Sequence, residues 1–597
     1  MKKAFIFLGL SLALFSLASC NNEQAAIKYE TKNVAIYRNK DKADKTIPIR
    51  FYSKYPNVPY VGIKEYFKEF YKKDLSVTKR NDFNVFKIDN NEYIKIDSKE
   101  SILGIKDIYN LGHHPDFREN KNKTIIISNE EKRTEPKYKI IDLSKYDILT
   151  YNTDTDSYVP VGLLNNIYGT AEWYNVAYNG QDIYVFDFSG DLNTDPNEPA
   201  HNEEYFSQTY YNYYNNLKER HADLAKYTYN QLCFSFDNIR GYTSQLVFGD
   251  NNLVSLGLDT LLEKYYPGIK RLLLSTKKED YEKGFLALIF GMFDGGHTGP
   301  ISKNPPTLSY IYDLQKEEEF KALGDRMVKV DSIKSNYRSV LFNSRSISLG
   351  QDIGDRSFYY RYNSEYKTAY IGFDRFIMNK DLWNAYYNGD KTKLEDLEKE
   401  YDIQDTYAFV RKSLFKAKED GAKNIVLDLS INGGGEDIAL AAVVGLFNGA
   451  KAKVVKNNIV DSSREEKTYN IDINLDGKFD DSDINLAKSF NFNVSVLTSK
   501  LSFSCGNLFP SLMKEVGYKI IGEQSGGGSC NSSREETADG FIYNKSGYLC
   551  ICNLAGDNID SGVAVDYSLV NVVNGVKDYS KFYDAKTISD YLALIKK

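Results

Sequence analysis

The stretch from Asn424 to Phe447 constrains the fold of this chain more than any other. Asn424-Ile-Val-Leu-Asp-Leu429 is an apolar run without the alternation of a half-wet strand. Such a run is covered on both faces, as in sheets flanked by helices. Asn432-Gly-Gly-Gly435 ends it, and Asp437 to Phe447 follows with apolar residues at helical spacing. The same alternation recurs around it: strand Thr368 to Gly372, helix Ala408 to Glu419, strand Val494 to Thr498, helix Gly506 to Val516 and strand Tyr518 to Gly522. Strand-helix-strand order predicts an α/β sheet with right-handed crossovers.

The chain has 597 residues, too many for one core at about 100 to 200 residues per domain. Residues 27–200 read as a β-rich accessory domain. Asn33 to Tyr37, Pro48 to Tyr52, Val85 to Ile88, Tyr93 to Ile96 and Thr124 to Ser128 carry strand patterns, and Gly62 to Lys72 is a helix. Asp187 to Ala200, rich in Gly, Pro, Asn and Asp, marks a boundary. Residues 201–300 are predicted helical over Tyr210 to Tyr229, Ser255 to Tyr266 and Asp280 to Phe293. Residues 301–597 form the α/β core.

The N-terminus reads as an address. Lys2-Lys3 precede the apolar run Ala4 to Leu17, which closes in Leu17-Ala-Ser-Cys20. That ending resembles the lipobox of bacterial lipoproteins, which implies removal of residues 1–19, lipidation of Cys20 and a short linker over 20–26. The expected location is a membrane surface on the exported side, anchored by acyl chains without a spanning helix. Losing Lys2 and Lys3 takes the formal charge from −6 to −8, which argues against a nucleic-acid partner. Five cysteines remain: Cys233, Cys505, Cys530, Cys550 and Cys552. Cys550 and Cys552 share one strand face, and either is a candidate to reach Cys530.

Asp472-Ile-Asn-Leu-Asp-Gly-Lys-Phe-Asp-Asp-Ser-Asp483 matches a calcium-loop pattern inserted in the core. Side chains of Asp472, Asn474 and Asp476, the Lys478 carbonyl, Asp480 and Asp483 are the expected ligands, with Gly477 making the sharp turn. The expected cofactor is a structural Ca²⁺, and no organic cofactor is indicated.

Three segments carry acyl-transfer chemistry. Ser504 in Leu501-Ser-Phe-Ser-Cys-Gly506 opens a helix after a strand. The triple-glycine turn supplies backbone N–H groups, and Asp294-Gly-Gly-His-Thr298 supplies an imidazole whose ordinary pKa, about 6.5, suits a base. These segments resemble the peptidase family that includes C-terminal processing proteases, tricorn protease and interphotoreceptor retinoid-binding protein. Asp428-Leu-x-x-Asn432-x-Gly434-Gly435 is similar to that family's strand-turn, and Ile520-Ile-Gly-Glu-Gln-Ser-Gly-Gly527 to the turn after its nucleophile. The resemblance covers residues 204–570 and implies a crotonase-like α/β peptidase domain with Ser504 as nucleophile. The Lys that serves one branch as base is Gly528 here. The tricorn-like branch implies His297 instead, although its Ser beside the histidine is Gly296. No carboxylate-binding loop of PDZ type stands between His297 and Tyr370.

The expected mechanism uses Ser504, His297 and an oxyanion hole from Gly433, Gly434 and Cys505. Asp560 and Glu523 are the alternatives for the acid behind His297. The expected function is a lipid-anchored serine endopeptidase acting on peptides or unfolded proteins. The alternative is a non-catalytic ligand- or peptide-binding lipoprotein on the same scaffold.

Overall fold

The strand Asn424–Asp428 is buried along its whole length and lies in the middle of a six-stranded sheet. It pairs in parallel with Thr368–Phe373 on one side and Asn493–Thr498 on the other; Lys519–Gly522 and Tyr567–Ser568 extend the parallel part. Phe358–Asn363 closes the opposite edge antiparallel. Helices Thr406–Glu419, Asp437–Phe447 and Cys505–Glu515 connect the parallel strands. The mixed α/β core expected from the sequence is therefore present, with helix and strand ends within about two residues of those predicted. Its register sets Asp428 beside Gly372 and Leu497, and Thr498 beside Gly522. The carboxyl ends of four strands thus meet at one edge, where open α/β sheets bind their ligands.

This computed structural model describes residues 28–595 except 39–40, 114–123, 170–172, 188–213, 215, 249–251, 301–315, 317, 319, 355, 393, 395–404 and 574–575. The expected signal segment, Cys20 and the predicted border near 200 lie outside the described residues.

A second six-stranded sheet is built on Ile542–Cys552, which pairs with Cys530–Glu536, with Lys451–Asn458 and with the two-residue strand Gly299–Pro300 just after His297. Ser463–Ile471 continues this sheet, and Ile126–Arg133 forms its far edge. That last strand was expected within the accessory region, but it covers the open edge of the 451–471 hairpin instead. The other N-terminal strands form a seven-stranded and a five-stranded sheet.

The helical region differs from expectation in detail. Of the helix predicted over Tyr210 to Tyr229, residues 210–213 and 215 lie outside the described residues, and a helix runs over Ala222–Asn238. The one predicted over 255–266 is two helices, Asn252–Leu256 and Leu258–Tyr265, divided at Gly257 with φ 76°. A 29-residue helix, Lys321–Leu349, was not anticipated because its apolar residues form no single stripe.

Candidate active site

Five residues separate Ser504 from the end of the strand Asn493–Thr498, and it directly precedes the helix Cys505–Glu515. Its backbone has φ 56° and ψ −121°, a conformation a residue with a Cβ rarely adopts. The surroundings impose it. Ser502 Oγ donates to Leu429 O at 2.6 Å, and the N–H groups of Phe503 and Ser504 donate to Asn432 O and Gly527 O, both at 2.9 Å. The Gly526 N–H closes the other side on Ser502 O at 2.8 Å. The Ser504 hydroxyl makes no capping bond to its helix, so it is not spent on holding the helix start. Next to it, Cys505 is buried, and burial pushes its thiol far above the ordinary range. A protonated, enclosed thiol is a poor nucleophile.

The glycine turn packs directly on this serine. A Cβ on Gly434, φ 113°, would stand 2.7 Å from Ser504 Cβ, so only glycine lets the two segments approach. Two of the amides assigned to the oxyanion from sequence are engaged inside the fold. Gly433 N–H donates to Asp374 O at 3.1 Å, and Gly434 N–H donates to Asn432 Oδ1 at 2.8 Å. An Asn two residues upstream folds back as an Asx turn and takes the amide. Among the described residues the N–H groups of Gly435 and Cys505 have no such acceptor, and these two are the available donors. Beneath the turn, Arg345 from the long helix is fully buried and binds Asp374 and Asp428 at 3.0 and 3.1 Å. Tyr359 also donates to Asp428, at 2.5 Å. Arg345 was not legible in the sequence, since it lies on a helix without a clear apolar stripe.

His297 sits in a turn organised by Asp294. The carboxylate Oδ1 accepts the N–H groups of His297 and Thr298 at 3.1 and 3.0 Å, and Oδ2 accepts the Thr298 and Ser546 hydroxyls. Burial pushes the Asp294 carboxyl up, but the charges of His297 and Arg240 and these hydrogen bonds outweigh it, holding it below the usual range. The His297 ring lies 5.0 Å from the ring of Phe503, the residue before Ser504. Sequence reasoning missed Phe503, and it left Asp294 as a motif position without a role.

Both candidate acids have hydrogen-bond partners of their own. Asp560 is buried beneath Gly527, but Oδ1 accepts the Ser529 N–H at 3.0 Å and Oδ2 the Ser244 hydroxyl at 2.5 Å. Glu523 binds the Tyr337 hydroxyl and Lys577 Nζ, on the side of the long helix. The carboxylate that holds the His297 turn is Asp294.

The acidic loop is folded on its own amides. Asp472 accepts the Gly477 N–H at 2.7 Å and the Tyr387 hydroxyl at 2.8 Å, while Asp476 Oδ1 accepts the Lys478 N–H at 2.8 Å. Asp483 accepts the Ile473 and Asn474 N–H groups, and with Asp480 it forms a capping box for the helix Asp481–Ser489. Among the described residues no three acidic, His or Cys side chains stand together as a metal site. Two features still suit a hard cation: the donors are all oxygen, and Asp472 and Asp483 are both buried. Burial raises the Asp472 carboxyl, and the neighbouring charge of Asp483 adds to that.

Residues 368–568 match the model of peptidase family S41. No curated protein matches the sequence. Among solved structures, the chain is similar to the photosystem II D1 C-terminal processing protease, at 16% identity over 34% of this chain and 42% of that one, with a TM-score of 0.24. It therefore spans less than half the length of that relative. It is also similar to a putative peptidase from Parabacteroides merdae, at 15% identity over 55% of this chain and 88% of that one, TM-score 0.35. A third likeness is tricorn protease, at 12% identity over 46% and 20%, TM-score 0.22. The family match spans both the glycine turn at 433–435 and Ser504, so the part of this chain that is similar to peptidase family S41 is residues 368–568.

Proposed function

We propose that the chain is a serine endopeptidase in which Ser504 is the nucleophile and His297 the general base. The observation that carries this reading is the Ser504 turn. A strained serine with an uncommitted hydroxyl is pressed against a glycine turn, one residue from the aromatic ring that meets His297. Ser504 Oγ attacks the peptide carbonyl carbon and passes its proton to His297. Gly435 and Cys505 N–H groups receive the oxyanion. As the C–N bond breaks, His297 protonates the leaving amine; water then hydrolyses the ester by the same route. Asp294 fixes the His297 turn and offsets the charge of the imidazolium.

The substrate class is an extended peptide or unfolded protein, and the chain is held at a membrane surface by lipid on Cys20. The loop 472–483 takes calcium, with Asp472 and Asp483 as its buried ligands. Its support is the oxygen donor pattern and the mutual repulsion of that pair. Millimolar calcium should raise the melting temperature and a chelator lower it; curves unchanged by either would remove the ion from the proposal.

Fluorophosphonate labelling tests the chemistry. An adduct on Ser504, absent in Ser504→Ala and strongly slowed in His297→Ala, is expected. Equal cleavage of a denatured protein by wild type and Ser504→Ala would sink the mechanism.

A further inference from the structure

Phe503 fills the space beside two glycines, Gly296 and Gly528. A Cβ added to Gly296, beside the histidine, would fall inside the Phe503 ring around Cε1 and Cζ. A Cβ added to Gly528, on the strand-turn behind the serine, would fall inside the same ring at Cζ and Cε2. The ring is therefore wedged between the two glycines, with its centroid 5.0 Å from that of the His297 imidazole and its plane tilted 55° to it. Its backbone has little freedom to follow a displaced ring. Phe503 N–H is bonded to Asn432 O at 2.9 Å, and residue 503 bridges Gly527 in a parallel pairing. The next residue is Ser504, so the ring is rigidly coupled to the nucleophile's backbone.

Resting on the Ser504 and His297 reading, we propose that Phe503 is a positioning residue: wedged between Gly296 and Gly528, it sets the imidazole of His297 against the Ser504 hydroxyl. The glycines at 296 and 528 are the complement of that ring. A larger side chain at either position, including a lysine at 528, meets the ring before it reaches the serine. Gly528 also has φ 76°, which disfavours any side chain there. The arrangement couples three separate segments, 294–298, 501–506 and 526–528, through one aromatic side chain.

The test measures fluorophosphonate labelling rates at Ser504, with kcat and KM on a denatured protein digest, for folded variants checked by melting curves. Phe503→Ala should slow labelling and lower kcat by about tenfold to a hundredfold, the range a misplacement of about 1 Å produces, with KM little changed. Phe503→Tyr, which keeps the ring, should restore most of both. Gly296→Ala should be as impaired as Phe503→Ala, and the double variant Gly296→Ala with Phe503→Ala should be no worse than either single one. Labelling of Phe503→Ala at the wild-type rate, or strictly additive losses in the double variant, would overturn the inference. A Ser504→Ala variant that still cleaves like wild type would instead overturn the underlying serine reading.

Discussion

Replacing Ser504 by glycine should make the protein more stable than replacing it by alanine, although both variants lose the proposed nucleophile. Ser504 holds φ 56° and ψ −121°, where a residue with a Cβ pays about 1 to 3 kcal/mol. Alanine keeps the Cβ and keeps that strain. Since the hydroxyl makes no capping bond, its removal costs little by itself. Glycine relieves the strain but loses about 0.5 to 1 kcal/mol of unfolded-state backbone entropy. It also gives up the Cβ contact with Gly434, at less than the roughly 0.8 kcal/mol of a fully buried methylene, because Ser504 is only half-buried. The balance favours glycine by about 1 kcal/mol within these ranges. Urea unfolding of the two variants, read at the transition that includes the peptidase core, should show a higher midpoint for Ser504→Gly at equal slope. A midpoint equal to or below that of Ser504→Ala would show that the turn stores no strain, and the argument for a preorganised nucleophile would fall with it.

Arg345→Ala should destabilise the core by about 3 to 5 kcal/mol in thermal unfolding, because fully buried Asp428 loses its cation. Arg345→Lys should recover little of this, since one ammonium does not span Asp374 and Asp428 as the guanidinium fork does. The Asp294 carboxyl lies below its unfolded value, so its stabilisation is fully present above about pH 4 and is lost as pH falls through the folded value. Asp294→Asn should flatten the stability curve on that acid side; an unchanged acid limb would refute the assignment. Cys530 and Cys550 are register partners with Sγ atoms 3.0 Å apart, whereas Cys552 Sγ turns to Cys550 O. Mild oxidation should therefore remove two titratable thiols from wild type and from Cys552→Ser, and none from Cys530→Ser.

The core was legible because its signals are local. An apolar run such as Asn424 to Leu429 and a glycine turn such as 433–435 fix strand, stop and helix within a few residues, and these elements appear where predicted. The helix Lys321–Leu349 was not legible because its apolar residues do not share one face: Leu341 and Leu349 are buried with Arg345 between them, while Val340 and Ile347 are exposed, and this blurs the stripe that identifies an amphipathic helix. The break at Gly257 and the sheet joined by Ile126–Arg133 depend on tertiary partners, an Asp237 side chain in one case and the Ser463–Ile471 edge in the other. No short window of sequence contains either.

The same division runs through the site. A serine, a histidine and a glycine turn are marked by their neighbours in the chain, whereas an acid or an oxyanion donor is defined by where its atoms point. Asp560 lies under the nucleophile turn, yet its carboxylate serves Ser529 and Ser244. Gly433 and Gly434 lie in the right turn, yet their amides serve Asp374 and Asn432. Asn432 explains why. Its Nδ2 donates to Phe373 O at 2.8 Å, its Oδ1 takes the Gly434 amide, and its backbone carbonyl takes the Phe503 amide. One fully buried residue thus ties a neighbouring strand end, the glycine turn and the nucleophile turn together. Satisfying those buried groups is obligatory, so the turn gives up two amides to build its own shape, and the donors left without an acceptor among the described residues are the next residue along, Gly435, and the first residue of the helix, Cys505.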